Sequence, residues 1–188
     1  MSRGRRFEIR IAGFGGQGVV TIGKILGTAF TIYGGKNSVN TQSYGPESRG
    51  GACRSEVILS EGEINYPYVR RADVLVALSQ SALDTYVEDL KEGGILVTES
   101  HAVTSIPQPE RFRLIPVPAL AIAQETGSVK SQNIVALGAL YALIADLVQE
   151  PDLLRAIKES MSPAAFDRNA AAFEKGKQYV HSHFIQEP

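Results

Sequence analysis

Cysteine is nearly absent from this 188-residue chain and tryptophan is absent altogether. Cys53 stands alone, so the chain cannot form an internal disulfide, a zinc site of several cysteines or an iron-sulfur cluster within itself. Cys53 lies in a predicted strand, where a lone thiol serves as a small buried apolar residue rather than a nucleophile. Long apolar runs are missing too: no stretch reaches the roughly 20 residues that cross a bilayer. The opening Met1-Ser2-Arg3-Gly4-Arg5-Arg6 leads into an amphipathic strand, not the apolar centre of a signal peptide. A soluble cytoplasmic protein without a membrane partner is expected. Lys and Arg number 19 against 20 Asp and Glu, a balance that gives nucleic acid no electrostatic footing. Histidine is confined to His101, His181 and His183, and the chain has no G-x-S-x-G, no H-E-x-x-H and no P-loop ending in Lys-Ser/Thr. No complete catalytic set and no metal site follows from these residues, so the chain is expected to be part of an enzyme at most.

Glycine, by contrast, is concentrated where it matters. Phe7-Glu8-Ile9-Arg10-Ile11-Ala12 alternates apolar and polar residues, the period of a strand, and runs into Gly13-Phe14-Gly15-Gly16-Gln17-Gly18, a G-x-G-x-x-G pattern with Gly16 as a fourth glycine. Val19, Ile22, Leu26, Phe30 and Tyr33 then recur at helical steps up to Gly34-Gly35. A glycine turn opening a helix binds anions, because the first helical amides lack internal partners and the helix dipole is positive there. The alternative is a turn that only packs helix on strand. A dinucleotide site also needs an acid about 20 residues further on. That position falls among Lys36-Asn37-Ser38-Val39-Asn40, and the first acid is Glu47. Phosphate binding survives this test, whereas NAD loses support.

Strands are predicted at Asn37 to Gln42, Ala52 to Ser60, Val74 to Leu78, Ile95 to Thr98 and Phe112 to Val117, with helices between them. One helix begins near Ser79 or Ser81, carries Leu83, Tyr86, Val87 and Leu90, and ends at Gly93-Gly94. A second runs from Ala119 to Thr126, and a central one from Ile134 to about Gln149. The last two start at Pro151-Asp152 and at Ser162-Pro163. The loop Ser43-Tyr44-Gly45-Pro46-Glu47-Ser48-Arg49-Gly50-Gly51 breaks every periodicity. It holds a carboxylate, a hydroxyl and a guanidinium on the sheet edge that carries the glycine turn. The polar segment before the central helix holds Lys130, Gln132 and Asn133, where Ser131 or Gln132 can cap the helix. This order gives one α/β domain over 1–188, a Rossmann-like, doubly wound, mostly parallel sheet with a helical C-terminal end.

With these motifs read, the chain resembles the gamma subunit of the 2-oxoacid:ferredoxin oxidoreductases over nearly its whole length. The likeness rests on Gly13 to Thr21, Gln42 to Gly51, Ala72 to Leu78 and Asn133 to Leu140. The Ser43 to Gly51 loop looks most like the 2-oxoglutarate branch, with pyruvate, ketoisovalerate and indolepyruvate relatives close by. The resemblance implies a non-autonomous subunit that helps hold coenzyme A. Thiamine diphosphate and iron-sulfur clusters would sit in alpha, beta and delta-type partner subunits, and electrons would leave to ferredoxin. It also implies phosphate contacts at Gly13, Gly15, Gly16, Gln17, Gly18 and Thr21, with Ser48, Arg49, Lys130, Gln132 and Asn133 as further candidates. Rival readings are a stand-alone NAD(P)- or flavin-binding Rossmann oxidoreductase and a purely structural subunit. The oligomer of the isolated chain, a homodimer included, stays open.

Overall fold

The computed structural model describes residues 6–44 and 52–185. Its strands are β1 (Arg6–Phe14), β2 (Asn37–Tyr44), β3 (Ala52–Ser60), β4 (Ala72–Ala77), β5 (Leu90–Glu99) and β6 (Arg113–Val117), and they form one sheet in the order β2-β3-β1-β4-β5-β6. The pairs β1/β4, β4/β5 and β5/β6 are parallel, whereas β3 runs antiparallel to both β1 and β2. The expected α/β sheet is therefore present, with an antiparallel hairpin added on one side. β2 and β1 point the same way, and the register aligns Tyr44 with Cys53 and Cys53 with Gly13. The ends of the hairpin loop thus flank the edge where β1 finishes, as the sequence suggested. The loop itself, Gly45 to Gly51, lies outside the described residues.

Helices α1 (Val19–Thr28), α3 (Ala119–Glu125), α4 (Gln132–Leu143), α5 (Glu150–Glu159) and α6 (Pro163–Phe184) share one core with Ile9, Ile11 and Val76. A π-helical turn, Ala29–Tyr33, extends α1 to Gly34 and Gly35. The opposite face is thinner. Helix α2 (Gln80–Tyr86) packs there with Leu75, Leu96 and Phe112.

On that thinner face the alternation in β1 has a second consequence. Arg10 points away from the main core yet is only 3% exposed. Its guanidinium donates to Glu56 Oε1 at 2.8 Å, Asp89 Oδ2 at 2.6 Å and the Val69 carbonyl at 2.9 Å, and it lies 4.9 Å from the centre of the Tyr86 ring. A buried cation persists only when paired and hydrogen-bonded in this way.

Two sequence expectations shift. The helix expected up to Gly93-Gly94 stops at Tyr86, and Leu90 begins β5 instead. Leu90 pairs with Ala72 and Ile95 with Val74, so the four residues between them are accommodated as an irregularity, with Gly93 at φ 71°. Strand pairing overrides the helical spacing of Leu83, Tyr86, Val87 and Leu90. The helix expected to reach Gln149 ends at Leu143. Ile144 and Val148 stay buried after the chain turns, so apolar residues outlast the helix itself. Ser79 caps α2 by accepting from the Ala82 amide at 3.3 Å. Ser131 and Ser162 stand at the N-cap positions of α4 and α6 but make no side-chain capping bond.

Helix α4 is buried from Asn133 to Ala142, and its crossing with α6 depends on two glycines. A Cβ on Gly138 would overlap the Phe173 carbonyl oxygen, with the Phe173 carbonyl carbon at 2.8 Å, and one on Gly176 would meet the Val135 carbonyl in the same way. Backbone cannot yield as a flexible side chain does. Gly138→Ala is therefore expected to lower stability by about 2–3 kcal/mol. For a chain of this size that drops Tm by about 5–10 °C in a thermal melt. Gly27→Ala, whose Cβ would meet only Asn40 Cβ at 3.5 Å, is the control and leaves Tm unchanged or raised.

Candidate functional site

The site is built on the sheet edge where the parallel strands end, the usual position for ligands in open α/β sheets. After Phe14 the chain makes a tight turn in which the Gln17 amide donates to the Phe14 carbonyl at 3.1 Å. Gly16, third in that turn, has φ 98°, a sign that a type II turn requires there and that L side chains avoid. Gly18 follows at φ 74° as the N-cap of α1.

The turn leaves a row of donors without acceptors. From Gly15 to Thr21 only the Gln17 amide has a backbone acceptor among the described residues. Gly15 and Gly16 are exposed and nothing lies within 4 Å of where a Gly16 side chain would start. Unpaired amides, the positive end of α1 and an open approach make a seat for an oxyanion. The Thr21 hydroxyl, in the first turn of α1, has no hydrogen-bond partner among the described residues and can add a donor.

Asn133 joins this turn from the other side of the core. It sits in the first turn of α4, is 8% exposed, and makes no hydrogen bond to the described residues. Its side chain presses on Gly18 so closely that a Cβ there would lie 2.7 Å from Asn133 Cβ and nearer still to the carbamoyl group. Its carbamoyl group has no partner among the described residues and is left available to a ligand at the turn. Lys130 and Gln132 are its near neighbours in the chain. Lys130 is exposed in the single 3-10 turn Val129–Ser131, and Gln132 opens α4, half-buried.

The structure therefore brings Gly13, Gly15, Gly16, Gln17, Gly18, Thr21 and Asn133 into one place, whereas Lys130 and Gln132 are tied to them only by standing close to Asn133 in the chain. Ser48 and Arg49 lie outside the described residues. Sequence reasoning missed the use of Gln17: its Oε1 accepts from the Phe14 amide at 2.6 Å and its Nε2 donates to the Leu78 carbonyl at 2.9 Å. Only the pattern G-x-x-x-Q hinted at it. It also missed Arg54, which stands across from Ala12 in β3, half-buried, with its guanidinium 3.4 Å from the Tyr86 hydroxyl. Three large apolar residues at element ends are exposed, Phe14 in the turn itself and Leu120 and Val129 elsewhere, at 40%, 36% and 54%. No sequence period marks them, because each lies at an element's end.

The topology also bears on the nucleotide alternative. In a dinucleotide fold the second strand lies beside the first and ends in the ribose-holding acid. Here antiparallel β3 occupies that place and β2 is pushed to the sheet edge. Among the described residues no acid is delivered to the turn from there.

Fold and turn together define a Rossmann-like unit whose first turn presents unpaired amides. The sequence model of the pyruvate ferredoxin/flavodoxin oxidoreductase family matches residues 8–179, and the chain belongs to that family. It is 43% identical over 173 residues to the 2-oxoglutarate synthase subunit KorC of Methanocaldococcus jannaschii, covering 91% of this chain and 92% of that one. The keto/oxoacid ferredoxin oxidoreductase gamma subunit of Geobacter sulfurreducens superposes with a TM-score of 0.82 at 40% identity, covering 94% of this chain and 99% of that one. The 2-oxoglutarate:ferredoxin oxidoreductase of Magnetococcus marinus, solved with 2-oxoglutarate, coenzyme A and succinyl-CoA bound, superposes with a TM-score of 0.86 at 25% identity. That match covers 98% of this chain and 32% of the longer one. Stand-alone dinucleotide or flavin chemistry gives way to this membership. No helix among the described residues is long and apolar enough to cross a membrane.

Cys53 is 7% exposed in β3 beside the site, and burial pushes its thiol above the ordinary value. A raised thiol is a poor nucleophile, so alkylation by iodoacetamide at pH 8 is expected at least about tenfold slower in the folded protein than in denaturant. Rapid labelling of the folded chain, followed by mass spectrometry, would contradict the buried role.

Proposed function

We propose that this chain is the gamma subunit of a 2-oxoglutarate:ferredoxin oxidoreductase and that its glycine turn holds the phosphates of coenzyme A. The observation that carries the reading is the convergence of unpaired amides at Gly15, Gly16 and Gly18 with the unpartnered buried Asn133. Phosphate oxygens are acceptors only, and every group presented here donates or can do so. The M. marinus relative, which has coenzyme A bound, supports the choice of ligand, and the KorC relatives support 2-oxoglutarate as the acid.

In this reading the chain does no bond-making. Thiamine diphosphate and the iron-sulfur clusters reside in alpha, beta and delta-type partners, which decarboxylate the 2-oxoacid and pass electrons to ferredoxin. This chain binds the phosphate end of coenzyme A, so that its thiol can reach the acyl group on a neighbouring polypeptide. Lys130 and Gln132, close to Asn133 in sequence, extend the cradle in this reading, and Ser48 and Arg49 are the further candidates that the sequence offers. Phe14, exposed in the turn itself, offers an apolar group for a partner to cover.

The test uses the assembled enzyme. Asn133→Ala and Gly16→Val are each expected to raise the KM for coenzyme A by about tenfold or more, equivalent to about 1.4 kcal/mol. The KM for 2-oxoglutarate should stay where it was. An unchanged coenzyme A KM in both variants would favour the purely structural subunit.

A further inference from the structure

We infer that Gln17 is a positioning residue that clasps the glycine turn onto the sheet, and that Gly13 is glycine in order to leave room for the Gln17 amide. The inference rests on the coenzyme A reading and reassigns one of its candidate contacts. Gln17 turns its carbamoyl group toward the sheet: one end accepts from Phe14, the last residue of β1, and the other donates to Leu78, just past β4. The two strand ends are already joined by the Leu78 amide donating to the Ala12 carbonyl at 2.9 Å. One side chain thus fixes the turn to two strands at once.

Gly13 is the space this requires. A Cβ on Gly13 would lie 2.5 Å from Gln17 Oε1, an impossible approach, while its other neighbours, Leu78 Cβ and Val19 Cγ2, stand at 3.1 and 3.2 Å and need shift only by tenths of an ångström. The first glycine of the fingerprint therefore serves the clasp rather than backbone flexibility. Nor is it among the positions of positive φ.

The consequence for binding is preorganisation. Two adjacent glycines give the turn the largest backbone freedom a chain can have, and a ligand would otherwise have to restrict it on arrival. With Gln17 in place, the Gly15 and Gly16 amides are presented before the ligand comes. Gln17 holds the groups that touch phosphate without being one of them.

A double-mutant cycle in the assembled enzyme tests this, with Gly13→Ala, Gln17→Met and both together. Methionine keeps the length and loses both hydrogen bonds. Each single variant is expected to raise the coenzyme A KM by about tenfold while kcat at saturating coenzyme A and the KM for 2-oxoglutarate hold. The double variant should be no worse than Gln17→Met alone, because a methionine with no hydrogen bonds to keep can swing away from the added Cβ without breaking any clasp. If the two effects multiply, Gly13 does not act through Gln17 and the inference fails. It fails equally if Gln17→Met lowers Tm and leaves the coenzyme A KM unmoved, since the glutamine is then merely structural. Gln17→Ala serves in the same cycle if the methionine variant does not assemble. The Gly16 and Asn133 variants separate this outcome from failure of the coenzyme A reading: if they raise the KM and Gln17 does not, only the clasp is lost.

Discussion

The shape of this molecule depends on close approach at positions that lack a Cβ. Helix α4 lies against α6 with carbonyl groups directly over Gly138 and Gly176, and its first turn lies against Gly18 through Asn133. The two contacts are linked, because the same helix makes both. α6 holds α4 at the depth that lets Asn133 reach the N-terminus of α1. If α4 stood off by the thickness of a methyl group, the amide would no longer meet the turn. Interiors packed at crystal density transmit such displacements rather than absorbing them. Packing deep in the helical layer thereby sets the geometry of a surface feature.

The other face of the sheet works by a different principle. Where α1, α4, α5 and α6 bury aliphatic side chains, the α2 side also buries Arg10 with Glu56, and the half-exposed Asp89 meets the same guanidinium. An apolar core tolerates small shifts in register, because dispersion and burial have no direction. A guanidinium that must satisfy two carboxylates and a carbonyl does not. Arg10 comes from β1, Glu56 from β3, and Asp89 from the turn before β5, so the cluster fixes these segments relative to one another. Such a pair adds little net stability, yet removing one partner leaves a buried charge uncompensated. Specific placement of β3 beside β1, the feature that separates this sheet from a dinucleotide fold, fits that kind of restraint.

Much of this was legible in the sequence for a physical reason. Strand, glycine turn and helix follow one another within the first 35 residues, and local patterns report local structure. The apolar run at Val74 to Leu78 marked a strand covered on both faces, and the glycine pattern marked the turn between β1 and α1. The long-range features were illegible for the complementary reason. Nothing local distinguishes Leu90 as a strand residue from Leu90 as the next helical step, because only its pairing with Ala72 decides. The antiparallel course of β3 is set by a hairpin whose loop breaks all periodicity. Gln17 reads as another polar residue until Leu78, 61 positions away, is brought beside it. Asn133 was noticed as polar at a helix entrance, but its burial against Gly18 follows from tertiary contact alone.

The same unit is a third of a longer chain in the M. marinus relative and nearly the whole of the protein in the KorC and G. sulfurreducens relatives. Fusion changes the energetics of assembly. A covalently attached cradle meets its partner domain at a high effective concentration, and its contact surface need supply little binding energy. A separate chain must recover the freedom lost on association, which demands a well-packed surface of standard size. Phe14, 40% exposed in the turn itself, is one apolar group that such a surface can use. If the turn holds a phosphate as proposed, docking over it and ligand capture support each other. A covering partner excludes water from the seat, and hydrogen bonds to phosphate strengthen as the local dielectric falls. A unit arranged in this way should hold its ligand weakly alone and firmly in the complex, with no change in its own residues.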